Sequence, residues 1–555
     1  MTLKNVKESG ILIFLFLVFL FVGPSLLFFI RVPILPINVI LYFGGACLFY
    51  YFLCIKVRKE KIVILDFLKT IGVSIVVILI SILLSCFLFD RSSDGDTYHK
   101  DAIGVLKEGF NPVYESSEDF IKERKDDSKN LTTYSIWTDH YAKANWIVAS
   151  NFYSFTGNIE SGKAMNFLSL YVLFTCIFFA FYQKWKWKKS LIFASIISLN
   201  PITASQLFTF YNDFLVCIYL FLAIFFLLRL DKKEEAEDWI YYILTFLLLS
   251  NLKFNGLGYL LVFSFFFMCR KLYFAWKNQK FLEVFKKLVL LFIPLFIGSL
   301  LICGYPTYVK NMIDHKTPFF PLYGEGKQDI MTLQQPKKFS SMAPIQKLFY
   351  STFSKTNNLR ENDNLDLRIP FMVSKSELVP ATSYDLRISG FGIFFSGILC
   401  ISIVILFIYY QEYKKDTRLL FTLGITTLLL LVMNESWWAR YTPHFYLFVI
   451  FSIYILFEYG KNKKKILSGI YLLIIIVNTL VPLLGNSYYC LTNSLKIHRG
   501  LNSLKGKQIL CDVHGYHGIV YNLKDYGISY QLKEGVTSEK VYYDMIDYRV
   551  IDDEK

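Results

Sequence analysis

Residues 11–30 read ILIFLFLVFLFVGPSLLFFI, a run of 20 residues without a charged side chain. A helix of that length rises about 30 Å, which is the thickness of the hydrocarbon core of a bilayer. Twelve further apolar runs follow, near residues 37–55, 63–89, 164–182, 190–207, 213–230, 238–251, 255–269, 287–305, 389–410, 417–433, 442–459 and 465–485. Together they predict an all-α polytopic membrane protein with about 13 transmembrane helices.

The composition excludes several other classes of protein. Hydrophobic residues make up 54% of the 555 residues and charged residues only 19%, whereas a soluble protein has about 25% charged residues. A soluble enzyme, a disordered scaffold and a nucleic-acid-binding module are therefore excluded. The formal net charge of +15 has a topological origin, because Lys and Arg collect in short cytoplasmic loops.

The basic clusters indicate the orientation of the helices. Counting spans alternately from a cytoplasmic N-terminus places all of these clusters inside: Lys56 to Lys61, Lys184 to Lys189, Arg270 to Lys287, Lys414 to Arg418, and Lys461 to Lys465. Three large segments then lie outside, at about 90–163, at about 306–388, and from 486 onwards. We predict a multi-pass protein of the cell membrane with an extracytoplasmic C-terminus.

This topology divides the chain into a transmembrane catalytic module, residues 1–485, and a small α/β extracytoplasmic segment, residues 486–555. Alternating, strand-like patches in the second part are Gln508 to Cys511, Gly518 to Tyr521, and Ile528 to Leu532. Cys490 and Cys511 both fall in this segment, and the sequence leaves open whether they form a disulfide or stay free.

The strongest candidate for chemistry is an acidic motif where the third span emerges, Asp90-Arg-Ser-Ser-Asp94-Gly-Asp96-Thr-Tyr98-His99. Carboxylates this close raise one another's proton affinity, and a partly desolvated surface raises it further. Such a carboxylate is a competent general base for a hydroxyl nucleophile. We rank Asp94 first, Asp96 second and Asp90 third. A solvated acidic helix cap is the alternative, since Ser-Asp-Gly-Asp also favours turns.

Asp94-x-Asp96 also has the oxygen ligands that a divalent cation such as Mg²⁺ or Mn²⁺ prefers. The sequence does not decide whether the protein requires a metal, because nearby basic side chains can neutralise a phosphate without one.

A second cluster, Asn434-Glu-Ser-Trp-Trp-Ala-Arg440-Tyr441-Thr-Pro-His444, lies in a short predicted outer loop. An arginine there departs from the positive-inside rule, which indicates a specific partner, and guanidinium suits phosphate. The alternative is a snorkelling Arg within an interfacial aromatic belt. Polar residues at other outer helix ends join these two clusters: Tyr211-Asn-Asp213, Lys253 with Asn255, and His315-Lys-Thr-Pro-Phe-Phe-Pro321.

These features resemble the integral-membrane glycosyltransferases of the C-type (GT-C) fold, related to protein mannosyltransferases and aminoarabinose transferases. The resemblance covers roughly residues 60–460 and rests on the order of several phrases: Asp94-Gly-Asp96-Thr-Tyr98-His99, Glu108-Gly-Phe-Asn-Pro112, Asn158-Ile-Glu160-Ser-Gly-Lys163-Ala, Tyr211-Asn-Asp213, Leu252-Lys253-Phe254, Lys316-Thr-Pro-Phe-Phe-Pro321 and Trp438-Ala-Arg440-Tyr441.

The resemblance implies a bacterial membrane enzyme that transfers a sugar from a polyprenyl-phosphate donor to a cell-envelope glycan, lipid or protein acceptor. It implies a base among Asp94, Asp96 and Asp90, and a donor phosphate held by Arg440, Lys253 and His315. It also implies substrate contacts from Tyr98, His99, Asp213 and Tyr441. Nucleic acid is not an expected partner.

Two other functions remain open from the sequence. A flippase for lipid-linked oligosaccharides would share the helices and outer charges, but it would place ionisable residues at mid-membrane. A polysaccharide polymerase or ligase would also use outer arginines and a large loop, although the acidic motif in the first such loop favours sugar transfer.

Overall fold

The computed structural model describes residues 2–61, 63–123, 135–358, 365–460, 465–536, 539–542 and 545–551. It is 73% helical, with a small sheet near the C-terminus, as the sequence predicts for a helical membrane protein. Most of the basic cluster Lys461 to Lys465 falls on residues 461–464, which lie outside the described residues.

Eight helices among the described residues are long and apolar enough to cross a membrane: Leu3–Ile30, Asn38–Val57, Ile64–Phe87, Ile159–Ser198, Asn212–Lys232, Phe254–Lys277, Phe281–Cys303 and Ile466–Leu504. Three shorter apolar helices are Phe395–Ile408, Thr417–Val432 and Pro443–Tyr459. Further helices are Lys100–Lys107, Ser117–Glu123, Ser135–His140, Ala144–Thr156, Pro201–Gln206, Ala236–Leu249, Lys310–His315, Ile330–Gln334, Pro344–Phe353, Tyr410–Tyr413 and Ile519–Asp525.

The structure therefore does not confirm the 13 membrane crossings that the hydropathy pattern predicts. The runs 164–182 and 190–207 are two helices within Ala164–Ser198, separated by non-helical backbone at Lys186. Asn166 donates to the carbonyl of Leu207 at 3.1 Å, so the second helix returns beside the first. Length accounts for one difference, because Ala236–Leu249 has only 14 residues and about 20 are needed to span the hydrocarbon.

Contacts gather the three predicted outer segments at one end of the bundle. Thr307 donates to the carbonyl of Tyr141 at 2.8 Å, which joins the second outer segment to the first. Lys524 pairs with Glu108 at 2.9 Å, which joins the C-terminal segment to the first. The three segments thus share one side of the molecule.

The other end holds the connections that contain the basic clusters. Arg58 pairs with Glu8 at 2.6 Å and with Glu237, and Arg270 pairs with Asp231 at 2.9 Å. Because these pairs link loops that the topology assigns to one side, the two sets of loops are separated along the helix axes.

The C-terminal sheet has four strands in the order β2-β1-β4-β3, with β1 at Gln508–Asp512, β2 at Ser529–Leu532, β3 at Glu539–Val541 and β4 at Ile546–Val550. Strands β1 and β2 are parallel, and the Ile519–Asp525 helix connects them. The predicted strand at Gly518 to Tyr521 is therefore wrong. A parallel pair needs a crossover, and a helix provides it while burying Ile519, Val520 and Leu523.

The predicted boundary at residue 485 lies inside a helix, because Lys465–Leu504 continues for 19 residues beyond it. Polar residues of that extension pack on the first outer segment: Ser494 accepts from the backbone of Phe89 at 2.8 Å. Cys490 and Cys511 are both free and buried, so they form no disulfide with each other.

Candidate functional site

Five charged side chains meet where the outer segments cover the bundle: Arg440, Lys253, Asp94, Asp213 and Asp385. We call this set the Arg440 cluster. Asp94 lies in the turn after the Ile64–Phe87 helix, and Asp213 is the second residue of the Asn212–Lys232 helix. Lys253 caps the Phe254–Lys277 helix, and Arg440 lies in a single turn before the Leu447–Tyr459 helix.

Arg440 is at the centre of the cluster. Its Nη1 lies 3.7 Å from Asp94, 3.7 Å from Asp213 and 3.5 Å from Asp385. These separations are ion-pair distances but are longer than hydrogen bonds. Within the described residues, Nη1 and Nε have no hydrogen-bond partner, although both are buried. A buried guanidinium with unused donors is costly unless a ligand satisfies them.

Aromatic rings fix the guanidinium from the other sides. Its Cζ lies 4.3 Å from the centre of the Trp438 ring, 4.9 Å from that of Tyr211 and 5.2 Å from that of Tyr441. Cation–π contacts of this kind hold an arginine by its faces and leave its edge, which carries the N–H groups, directed at anions.

Lys253 supplies a second positive charge. Its Nζ donates to Asp213 at 2.6 Å and lies 4.5 Å from the centre of the Tyr441 ring. Burial lowers the pKa of Lys253, but the carboxylate of Asp213 outweighs this and raises the pKa above its ordinary value. The side chain is therefore charged. The N-termini of two long helices, at Asn212 and Phe254, add positive potential at this point.

Asp94 is the accessible carboxylate of the acidic motif. Its side chain is 33% exposed, whereas Asp90 and Asp96 are completely buried. Burial raises the pKa of Asp94 above its ordinary value of 3.8. Arg440 lowers this pKa, but the nearby carboxylates of Asp385 and Asp213 oppose its effect. A carboxylate with a raised pKa is better suited to accept a proton in a reaction.

Asp96 belongs to a different set of residues. Its Oδ1 accepts from Lys100 Nζ at 2.6 Å, and Lys100 also contacts Glu160, Asn522 and Tyr542. Lys163 pairs with Glu160. We call these six side chains the Lys100 network. Residues two apart on a helical turn point in nearly opposite directions, so Asp96 faces away from Asp94. Asp96, the second-ranked catalytic candidate, therefore has a structural role in this network.

Asp90, the third-ranked candidate, holds the turn itself. Its carboxylate accepts from the backbone of Ser92 at 2.8 Å, from the Ser92 hydroxyl at 2.9 Å and from the backbone of Phe210 at 2.9 Å. A Cβ at position 95 would collide with this carboxylate, so only glycine fits between Asp94 and Asp96. Asp90 thus positions Asp94 but lies away from the surface.

The same geometry tests the predicted metal site. Asp94 faces Arg440 and Asp96 is bound to Lys100, so the two carboxylates do not form one site for Mg²⁺ or Mn²⁺. The described residues contain no group of three or more His, Cys, Asp or Glu side chains placed to hold a metal ion.

Tyr98 and His99 border the cluster. Nδ1 of His99 accepts from Trp146 Nε1 at 2.7 Å, which places the proton of the neutral ring on Nε2. Burial, followed by the charges of Lys253 and Arg440, lowers the pKa of His99 well below its ordinary value. His99 is therefore a neutral hydrogen-bond donor. The Tyr98 ring packs 6.0 Å from that of Trp137.

His315 lies elsewhere. Its ring stacks on Phe320 with 3.6 Å between centres and meets His140 at 4.7 Å. Within the described residues it contacts neither Arg440 nor Lys253, so the described structure does not support its predicted phosphate contact. His140 in turn bonds Asn311 at 2.7 Å, so this histidine pair joins the two outer segments.

Sequence reasoning missed Asp385 and Arg387. Asp385 contacts Arg440 directly, and Arg387 pairs with Asp385 while its guanidinium lies 5.1 Å from the centre of the Trp438 ring. Both come from the end of the second outer segment, at Tyr384-Asp385-Leu-Arg387. The only signal was one more acid and base directly before an apolar run.

Comparisons of the chain with known protein families, with characterised proteins and with solved structures find no match.

Proposed function

We propose that this chain is a membrane glycosyltransferase that moves a sugar from a polyprenyl-phosphate donor to a cell-envelope glycan, lipid or protein acceptor. The observation that carries the proposal is the pairing of Asp94 and Arg440 at 3.7 Å, with unused guanidinium N–H groups beside a partly exposed carboxylate. Such a site has a base and a charge clamp next to each other.

The reaction divides the charges of the cluster between two tasks. The acceptor hydroxyl oxygen attacks the anomeric carbon, its proton passes to Asp94, and the bond from that carbon to the phosphate oxygen breaks. The electron pair of that bond stays on the lipid phosphate. Arg440 and Lys253 stabilise the negative charge that develops there. Positive charge on the sugar ring is stabilised by the carboxylates of Asp213 and Asp385.

The balance of charges in the cluster suits a reaction that separates charge better than a site that only binds an anion. Together with Arg387, which pairs with Asp385, the five side chains of the cluster are neutral, because three cations balance three carboxylates. A neutral set of fixed dipoles and charges stabilises both ends of a polar transition state. Of the three rings that contact Arg440, only Tyr441 is partly exposed and offers a flat surface to a sugar, whereas Trp438 and Tyr211 are buried.

Binding of a short-chain polyprenyl phosphate tests the proposal directly, because this product is common to all such reactions, whatever the sugar or the acceptor. We expect purified protein to bind it more tightly than the corresponding dephosphorylated alcohol. We also expect a donor carrying a radiolabelled sugar to be consumed in the presence of envelope extract. Equal binding of phosphate and alcohol would contradict the proposal.

Substitution of Asp94 and of Asp96 distinguishes a catalytic role from a structural one. Asp94→Asn removes the base and is expected to lower turnover by about 100-fold or more at normal protein yield. Asp96→Asn weakens the contact with Lys100 and is expected to lower the yield and the thermal stability instead. Turnover per folded molecule, after size-exclusion chromatography, distinguishes the two. Loss of turnover in Asp96→Asn alone would reassign the base.

The proposed orientation, with the Arg440 cluster outside the cell, is tested by labelling. Ser529 and Lys61 are exposed and lie in the C-terminal sheet and in a predicted inner loop. In a background with Cys269 and Cys400 replaced by alanine, Ser529→Cys is expected to react with a membrane-impermeant maleimide in intact cells. Lys61→Cys is expected to react only after permeabilisation. The reverse pattern would invert the topology.

A further inference from the structure

A cleft of about 290 Å³ opens at the end of the bundle opposite the Arg440 cluster. Its walls come from the Ala164–Ser198, Asn212–Lys232, Thr417–Val432 and Leu447–Tyr459 helices. The Asn212–Lys232 helix carries Asp213 of the cluster at one end and Lys232 of the cleft at the other. With 21 residues it is about 30 Å long, so the two sites are separate.

The cleft is long, and its inner part is apolar. It follows the Asn212–Lys232 helix from Phe221 to Lys232, which is 11 residues or about 16 Å. The inner walls include Ile197, Phe221 and Ile450. A depth of about 16 Å equals half of the hydrocarbon core of a bilayer, and so the length of the acyl chains in one leaflet.

The mouth of the cleft is basic. Lys184, Arg229, Lys232 and Arg418 line it, with Asp416 as the single acidic lining residue. Lys184 pairs with Glu458 at 2.6 Å, and Arg418 pairs with Asp416 at 2.8 Å. Arg229 pairs with Asp238 at 2.7 Å and with Glu235 at 3.8 Å. In the part of the chain that the structure describes, the exposed Lys232 has no carboxylate partner. The mouth therefore keeps a positive charge.

A second cleft, of only about 30 Å³, meets the first at its mouth, where the two share Ile224, Leu228 and Arg418. It is too small for a hydrocarbon chain, and Asp231 and Arg270 also line it. The larger cleft alone has room for a chain.

We propose that the larger cleft binds an anionic phospholipid of the adjoining leaflet. The phosphate lies between Arg418 and Lys232, one acyl chain occupies the cleft, and the other stays in the bilayer. The basic rim lies at the helix ends, where lipid headgroups are found, and each basic side chain near such a surface favours anionic lipid. This binding does not depend on the proposed transfer reaction.

The test uses full-length protein, delipidated in detergent, and the midpoint of its thermal unfolding. Phosphatidylglycerol is expected to raise the midpoint more than phosphatidylcholine with the same acyl chains. Arg418→Gln with Lys232→Gln is expected to remove that difference, with affinity about fivefold weaker for each charge removed. Lys233→Gln is the matched control, because Lys233 is adjacent and exposed but does not line the cleft.

Three outcomes would overturn the proposal. Equal stabilisation by the two lipids would exclude a preference for anionic headgroups. Equal stabilisation by inorganic phosphate would indicate a small-anion site. Unchanged lipid binding in Ala180→Phe, which fills the cleft from its wall, would place the lipid elsewhere; because Ala180 is only half-buried, this variant is expected to fold.

Discussion

Replacing Arg440 by alanine is expected to lower sugar transfer by about 100-fold and to move its pH dependence to higher pH, because the guanidinium lowers the pKa of Asp94. One preorganised donor at a developing oxyanion is worth about 3 kcal/mol, and Arg440 is the only buried cation in the described structure that contacts Asp94, Asp213 and Asp385 together. Alanine also removes the charge that these three carboxylates share, so part of the loss is expected in binding of polyprenyl phosphate.

Lysine at position 440 distinguishes the effect of the positive charge from that of the guanidinium geometry. Arg440→Lys keeps the positive charge but loses the planar fork and the stacking on Trp438 and Tyr211. We expect intermediate turnover, with the larger change in the chemical step. If the alanine variant does not fold, because three carboxylates are left without their cation, the lysine variant still decides the question.

Arg31→Ala is the matched control. Arg31 is an exposed arginine at the same end of the molecule, with its guanidinium 4.8 Å from the centre of the Tyr114 ring and outside the Arg440 cluster. Its removal is expected to leave turnover unchanged. Near-normal turnover in Arg440→Ala, with equal amounts of folded protein, would contradict the phosphate-clamp role and favour a snorkelling arginine.

The helices could be predicted from the sequence because burial in lipid demands apolar runs of defined length, and those runs are visible without tertiary information. Their exact bounds could not. The Lys465–Leu504 helix continues past residue 485 because its polar extension packs on the first outer segment, and that contact joins residues about 400 positions apart. The polar residues that follow position 485 predicted, by themselves, that the helix ends there.

The cluster was predictable only in part, for a related reason. Asp94, Asp213, Lys253 and Arg440 stand at ends of apolar runs, where a charge is conspicuous. Asp385 was hidden in a long outer segment that contains many charges. The separate roles of Asp94 and Asp96 depend on Lys100 and the C-terminal segment, so residue types within the motif could not distinguish them.

The second large effect is expected in the Lys100 network, where Glu160→Gln should destabilise the protein strongly. Glu160 lies between Lys100, at 2.6 Å, and Lys163, and all three side chains are completely buried. Removing the shared carboxylate leaves the buried ammonium of Lys163 without a carboxylate partner, whereas Lys100 keeps Asp96. An uncompensated buried charge typically costs about 3–5 kcal/mol. We expect the thermal midpoint in detergent to fall by roughly 5–10 °C.

The exposed pair Lys122 and Glu118 provides the matched control. Its atoms are 2.7 Å apart, close to the spacing of Lys100 and Glu160, but its side chains are 66% and 60% exposed. Glu118→Gln is therefore expected to change the midpoint by less than about 1 °C, because a surface pair is worth about 0.3–0.5 kcal/mol. Equal effects of the two substitutions would show that burial of the network does not matter.

The region that Glu160→Gln destabilises is also predictable, because Asn522 and Tyr542 attach the C-terminal sheet to Lys100. Loss of Glu160 should loosen that attachment, so limited proteolysis is expected to cut faster between Leu504 and Gln508 than in wild-type protein. Adding Lys163→Met to Glu160→Gln removes one unpaired charge and should recover part of the stability. If the double variant is no more stable than Glu160→Gln alone, then lost packing, rather than uncompensated charge, explains the defect.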